Sequence, residues 1–439
     1  MGQMFRASLF AVSLAGLSVV ALTAQPEGHS VDFPSFYSAA GTLARGENPY
    51  EVLALQAYAQ ERGIDSEVYP YLYPPFLASV LRPVTLLSPE TADRMWGTLM
   101  VVMFALSVVL VTLLPQEDRP GRGPSHGGGM LQKSALAAGI LMLLPLGENL
   151  LTGQVNAIVL ACITVAILGM EREGRGWEWG SGAALAVAAL IKVTPALLVL
   201  LFLARRKTSA LWAFAFSVLA GLGLSMLISG VDVWGEFLAF LPQLSYGRSI
   251  DGLFHPISVM NLSLSGFIMR VAEGSGPAVR LIAMTAALLI LALILRAVFR
   301  RPVAPGRGGL VLALLVVMVV LSPYAWIHHM VFLFPGAFMM LHEMTGRARE
   351  NEAQWLLPLS WLLLAGATVN FPGLYPSMEI PENLWRFFTS VNLFLLLAIL
   401  AIALRWSSPR LPLVHRHARL LGDHPETWPN LAPAPVRET

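Results

Sequence analysis

The chain has 439 residues, of which 56% are hydrophobic and only 13% charged, with a formal net charge of +2 at pH 7. Soluble domains carry about 25% charged residues, so this composition excludes a water-soluble globule and points to an all-α polytopic membrane protein. The balance of charge gives no electrostatic footprint for nucleic acid, and none is expected as a partner.

In chain order, the first apolar run reaches Ala24 and is long enough to span a bilayer. Leu22 sits poorly in a signal cleavage site, so an uncleaved helix over 6–24 is expected. Apolar runs and their breakers then predict helices near 94–114, 134–150, 154–170, 181–191, 194–204, 209–229, 277–297, 309–323, 327–342, 355–369 and 384–404, about twelve transmembrane helices in all. The stretch YPPFLASVLRPVTLLS is apolar but broken by Pro74, Pro75 and Pro83, and is assigned to a loop as an interfacial or re-entrant piece. With both termini cytoplasmic, the loops on that side hold most of the Lys and Arg, which is the bias of the positive-inside rule. Two long loops, 25–93 and 230–276, then face outward. One membrane domain over 1–404 and a Pro-rich, disordered cytoplasmic tail over 405–439 complete the expected organisation, as a monomer with any chemistry at the outer membrane surface. Cys162, the single cysteine, lies inside an apolar segment and allows neither a disulfide nor a thiolate metal site.

The sequence holds no phosphate-cradling Gly-rich loop ending in Lys-Ser/Thr, no H-E-x-x-H and no G-x-S-x-G, which argues against an enzyme that uses soluble nucleotides or nucleotide sugars. Polar residues in the apolar segments mark the candidates. Asp32, at the mouth of the first segment, is either an N-cap of the helix that Pro34 and Ser35 start or a general base that takes a proton from a sugar hydroxyl. No second carboxylate stands at D-x-D spacing, so neither metal nor other cofactor is expected. Lys192, just before the break at Pro195, is either a snorkelling lysine or a cation for an anion at the membrane border. Glu148, Asn149, Gln154 and Asn156 of GENLLTGQVN are helix caps, interhelical glue or substrate contacts. His328 and His329 are adjacent, so their side chains diverge and one can bind substrate while the other packs.

An Asp after the first helix followed by F-x-x-F-Y-x-A-A and GENPY, then YLYPPF, GQVN, KVTP and SPYAWIHH, in that order from about residue 30 to 335, resembles glycosyltransferase family 87 of the GT-C superfamily. The resemblance implies a GT-C fold whose two outward loops cover a cavity open to the membrane. It implies an inverting transfer of a hexose, with mannose as the expected sugar, from a polyprenyl-phosphate donor to a glycolipid or glycan acceptor. Arabinofuranose and glucose are the alternative sugars. Asp32 is then the base, and Lys192 with His328 or His329 holds the donor phosphate. Tyr73, Gln154 and Asn156 contact substrate, and Arg248, His255 and Arg270 of the second outward loop add to the phosphate site. Broken helices and an intramembrane lysine also suit a lipid or sugar transporter or flippase, the alternative of another class.

Overall fold

The computed structural model describes residues 30–114, 142–250, 254–300, 307–347, 351–374 and 384–407. The expected first helix at 6–24, residues 134–141 of the expected helix at 134–150 and the tail beyond Ser407 lie outside the described residues. Helices build the structure, and among the described residues the β pairing is one isolated bridge between Ile250 and Phe254.

The segment ahead of the first described span folds into three short helices, α1 (Phe33–Ala44), α2 (Val52–Glu61) and α3 (Pro75–Leu81). Pro75 starts α3, where a missing N–H costs nothing, and Arg82–Leu86 continues it as a 3-10 turn containing Pro83. There follow α4 (Pro89–Thr112), α5 (Leu143–Thr152), α6 (Asn156–Met170), α7 (Arg175–Ile191), α8 (Val199–Ala204) and α9 (Thr208–Ser229). The remainder comprises α10 (Asp232–Phe240), α11 (Leu264–Val271), α12 (Pro277–Arg300), α13 (Arg307–Val320), α14 (Phe334–Gly346), α15 (Asn351–Ala367), α16 (Phe371–Leu374), α17 (Trp385–Phe388) and α18 (Val391–Trp406).

Three of these are long and apolar enough to cross a membrane: α4, α9 and the Pro277–Phe299 part of α12. The protein is therefore a membrane protein. On α9 and α12 the apolar side chains face outward, with Phe216, Leu219 and Leu227 on the first and Leu281, Leu288 and Leu293 on the second exposed. Lipid tails suit such faces, because they are as apolar as leucine. Helix α13 is the opposite case, with every residue from Val311 to Val320 buried. It sits at the centre, against α14, α18 and the 3-10 turns at 194–198 and 327–333.

A second packed row runs α4, α6, α7, α9. Association in a bilayer rests on close packing rather than on expulsion of water, which favours small residues at crossings. Gly182 of α7 is one, since a Cβ there would come within 2.8 Å of the Ala213 Cβ on α9. Two expected helices do not begin as α-helix. Thr194–Leu198 and Ile327–Leu333 are 3-10; Pro195 lacks the N–H that would bond Ile191 O and so separates the first from α7, and Pro335 lacks the one that would bond Val331 O and so separates the second from α14. The expected helix at 384–404 is likewise divided into α17 and α18.

Candidate active site

Asp32 holds the N-cap position of α1, and its backbone carbonyl accepts from Ser35 N at 3.1 Å, yet its carboxylate makes no capping hydrogen bond. That side chain is turned instead to Gln154, whose Nε2 donates to Asp32 Oδ2 at 2.6 Å. Gln154 Oε1 in turn accepts from the Tyr73 hydroxyl at 2.8 Å. An amide between a phenol and a carboxylate can only point one way, so Tyr73 fixes the Gln154 flip and Gln154 fixes the carboxylate. Asp32 Oδ2 is committed to this bond.

The backbone is held with equal care. Asp32 N donates to Thr152 O at 2.7 Å, and Trp96 Nε1 donates to Gly153 O at 2.7 Å. Gly153 ends α5 in the left-handed region at φ +70°, and a Cβ there would lie 2.3 Å from Ser30 Oγ. Only glycine fits this turn beside the chain that carries Asp32. Ser30 is tied in turn to Asp93 of α4, through N at 2.8 Å and Oγ at 2.7 Å.

The two tyrosine motifs interlock around the same point. Tyr50 of GENPY donates to Tyr73 O at 2.9 Å, Tyr71 donates to Pro74 O at 2.9 Å, and Phe36 meets the Tyr73 ring edge-on at 5.1 Å. These contacts enclose the carboxylate in apolar surface. Burial lifts Asp32 from the ordinary carboxylate value to about 6, against the Gln154 hydrogen bond and the Lys192 charge, which pull it down. Burial, with the Asp32 charge beside it, pushes the Tyr73 phenol up, so it stays a donor at neutral pH.

Lys192 follows the last residue of α7. Its Nζ donates to Asn156 Oδ1 at 3.1 Å and lies 2.5 Å from His329 Nε2, with the rings of Tyr73 and Phe332 at 5.6 and 5.7 Å. His329 Nδ1 accepts from Trp326 N at 3.0 Å, so the backbone sets the ring's orientation. His328 and His329 do not part as an α-helix would require: in the 3-10 turn their rings meet edge to face, 4.6 Å apart at 76°. Asn149 Nδ2 donates to His328 O at 2.8 Å and so anchors the pair to α5.

A cavity of about 370 Å³ opens here, with Asp32, Tyr73, Gln154 and His328 in its wall. Lys192, Asn156 and His329 stand outside that wall, next to it through Tyr73. His328 is 6% exposed, and among the described residues neither its Nε2 nor Asn156 Nδ2 has a hydrogen-bond partner. Buried polar atoms are nearly always paired, so the His328 nitrogen, in the wall of the cavity, has capacity left for a polar ligand.

The structure does not bring the second loop's cations into this cluster. Arg270 is 1% exposed and gives its guanidinium to Ser258 O at 2.6 Å, Asn261 O at 2.8 Å and Ser390 Oγ at 2.8 Å. Arg248 and His255 are exposed, and neither lines the cavity. Arg270 acts as a brace: the loop it holds is fastened through Leu262 N to Ala325 O at 2.7 Å and through Ala325 N to Asn261 Oδ1 at 3.1 Å, directly before Trp326 and the histidines. Sequence reasoning passed over the aromatic wall of Trp326, Phe254 and Tyr69. The only available signal was the density of aromatics in YPYLYPPF and SPYAW.

A model of glycosyltransferase family 87 matches residues 71–323. The chain belongs to that family. The matched stretch contains Tyr73, Gln154, Asn156 and Lys192, while Asp32 and the two histidines flank it. This family-87 chain is 30% identical over 304 residues to a polyprenol-phosphate-mannose-dependent alpha-(1-2)-phosphatidylinositol pentamannoside mannosyltransferase of Mycobacterium tuberculosis. That match covers 67% of this chain and 63% of the relative. A protein of the same description from Mycolicibacterium smegmatis is 30% identical over 305 residues, covering 67% and 68%. A polyprenol-phosphate-mannose-dependent alpha-(1-2)-phosphatidylinositol mannoside mannosyltransferase, also from Mycolicibacterium smegmatis, is 26% identical over 332 residues, covering 72% and 71%. The resemblance carried by the ordered motifs is thereby established at the level of the family.

Proposed function

We propose that the protein is an inverting mannosyltransferase that moves mannose from a polyprenyl-phosphate donor to a phosphatidylinositol mannoside or related glycolipid on the outer face of the membrane. The observation that carries this reading is the Tyr73–Gln154–Asp32 chain, which orients a carboxylate of raised pKa in a cavity beside Lys192. The family and the activities of the relatives supply the reaction class.

In this mechanism Asp32 takes the proton of the acceptor hydroxyl as its oxygen bonds to the sugar's anomeric carbon. The bond from that carbon to the phosphate oxygen breaks, and polyprenyl phosphate leaves. The negative charge that grows on the phosphate is met by Lys192, with His328 and the Asn156 amide as donors. A carboxylate with a pKa near 6 is ionised at neutral pH and basic enough to accept a proton in the transition state. One base and one displacement invert the anomeric configuration, and the charge stabilisation comes from Lys192 rather than from a metal. The reading includes the twelve spans and the outward-facing loops expected from the charge bias.

The test uses the full chain in lipid nanodiscs with polyprenyl-phosphate mannose and a phosphatidylinositol mannoside. Expected are release of polyprenyl phosphate, an anomer opposite to that of the donor, no use of GDP-mannose and no loss of rate with EDTA. Turnover with GDP-mannose in the absence of lipid donor, or retention of configuration, would overturn the reading.

A further inference from the structure

We propose that Glu148, Asn370 and Trp326 form a hexose-binding subsite that receives the terminal sugar ring of the acceptor, an inference that rests on the transferase reading above. All three line the same cavity as Asp32, and the mechanism leaves them unused.

The chemistry of the three is complementary to a pyranose. Glu148 is a carboxylate on α5 whose Oε1 accepts from Asn370 Nδ2 at 3.2 Å. A carboxylate accepts only, and it takes hydroxyl protons on its remaining lone pairs, whereas an amide beside it both donates and accepts. Such a pair reads adjacent hydroxyls on one edge of a ring. Trp326 supplies apolar surface to the wall, its ring held by Tyr324 stacked on it at 5.7 Å and 13°, by His328 stacked at 5.8 Å and 29° and by Phe254 edge-on at 5.5 Å. The part of the indole left open to the cavity packs on the weakly positive C–H groups of a sugar ring. Few precisely placed polar groups in an otherwise aromatic wall are the usual make-up of a small-molecule site.

Placement assigns this subsite to the acceptor rather than to the donor. Asp32 N is bound to Thr152 O, and Thr152 Oγ1 donates to Glu148 O at 2.6 Å one turn earlier on α5. Glu148 therefore lies about 6 Å along the same helix from the point that anchors the base. Lys192 is tied to Asn156, beyond the Gly153 turn and at the start of α6. The leaving phosphate belongs at that end. The hydroxyl that Asp32 deprotonates belongs to the acceptor, and the ring carrying it reaches Glu148.

The test compares wild type with Glu148→Gln, Asn370→Ala and Trp326→Leu in nanodiscs, each checked for an unchanged thermal transition. Two readouts are taken: transfer kinetics with octyl α-mannoside as acceptor, and saturation-transfer NMR with methyl α-mannoside without donor. Losing a hydrogen bond to a charged group is worth about tenfold or more in binding. Glu148→Gln should therefore raise the acceptor KM about tenfold while the donor KM stays within twofold, and Trp326→Leu should abolish saturation transfer to methyl α-mannoside. An acceptor KM unchanged in Glu148→Gln and Asn370→Ala, or methyl α-mannoside binding equal to wild type in all three variants, would sink the subsite. If wild type binds methyl α-mannoside in a Glu148-dependent way yet transfers nothing from a polyprenyl donor, the subsite stands and the transferase reading fails.

Discussion

The two ends of α7 meet basic residues in opposite ways. Around the start, Arg205, which follows α8, pairs with Glu171, ahead of α7, in surroundings that leave the side chains 7% and 4% exposed, and Lys207, just before α9, pairs with Glu178 of α7 at 3.1 Å. At the other end, Lys192 has an amide oxygen and an imidazole nitrogen for partners, and among the described residues no carboxylate lies within ion-pair distance of it. A buried cation next to its carboxylate is finished chemistry, since the charge is neutralised inside the fold. Lys192 feels the Asp32 charge without pairing to it, and so keeps attraction for an anion that comes from outside. The contrast separates residues that hold the helices together from residues that await a substrate.

Substitutions can break this contrast, and the largest effect is expected at the substrate end. Asp32→Asn keeps size and shape but removes the basic oxygen, so turnover should fall by about 10²–10⁴ while the protein still folds and binds donor. A near-normal kcat in a well-behaved Asn variant would send the search for the base to Glu148, or to Glu47 and Glu51, which do not line the cavity.

Next comes the structural end. Arg205→Met leaves Glu171 buried without this partner, and breaking such a pair costs about 3–5 kcal/mol of stability. The drop should appear in thermal unfolding, with both KM values unchanged in the surviving protein. Lys192→Met should do the reverse, leaving the thermal transition near wild type and raising the donor KM by the equivalent of about 1.5–3 kcal/mol. If Lys192→Met lowers stability and spares the donor KM, the distinction between the two ends is void.

The smallest effects sharpen the substrate end. Asp32 must be ionised to act, and its pKa is raised to about 6. Activity should therefore rise with pH through about 6 and fall again at higher pH, where Lys192, whose charged form burial disfavours, gives up its proton. Gln154 donates to the ionised form and so holds that pKa down. Gln154→Leu should shift the acidic limb to higher pH as well as lower kcat, and Tyr73→Phe should do the same more weakly, because it only releases the amide to rotate. A limb that stays in place in both variants would show that the relay does not set the charge state of Asp32.

Much of this was legible in the sequence because membrane burial makes polar residues conspicuous. Asp32, Gln154, Asn156, Lys192 and His329 stand out against apolar neighbours, and they converge. Tyr73 could be named from its motif, but its role as a positioning hydroxyl depends on a loop crossing that no periodicity encodes. Arg270 was assigned to the phosphate site by the resemblance and its place in the second outward loop. The structure spends the donors of its Nη1 and Nη2 on two carbonyls and a serine, a use that follows from tertiary packing alone. The 3-10 turns at Thr194 and Ile327 were concealed in apolar runs; Pro195 and Pro335 mark the breaks next to them but not the turn type.

The short turn from Thr152 to Gln154 has a mechanical consequence. Both the carboxylate of Asp32 and the amide that orients it hang from those three residues, one by its backbone N–H and the other by sequence. Membranes differ in thickness by several ångströms, and spanning helices answer by tilting. The spans with the most lipid-facing surface, α9 and α12, carry neither group. Helix α9 is coupled to it all the same: Ser225 hydrogen-bonds Ser79 of α3 at 2.9 Å, and α3 begins two residues after Tyr73, so the acyl-chain length of the surrounding lipid has a route to the relay that orients Asp32.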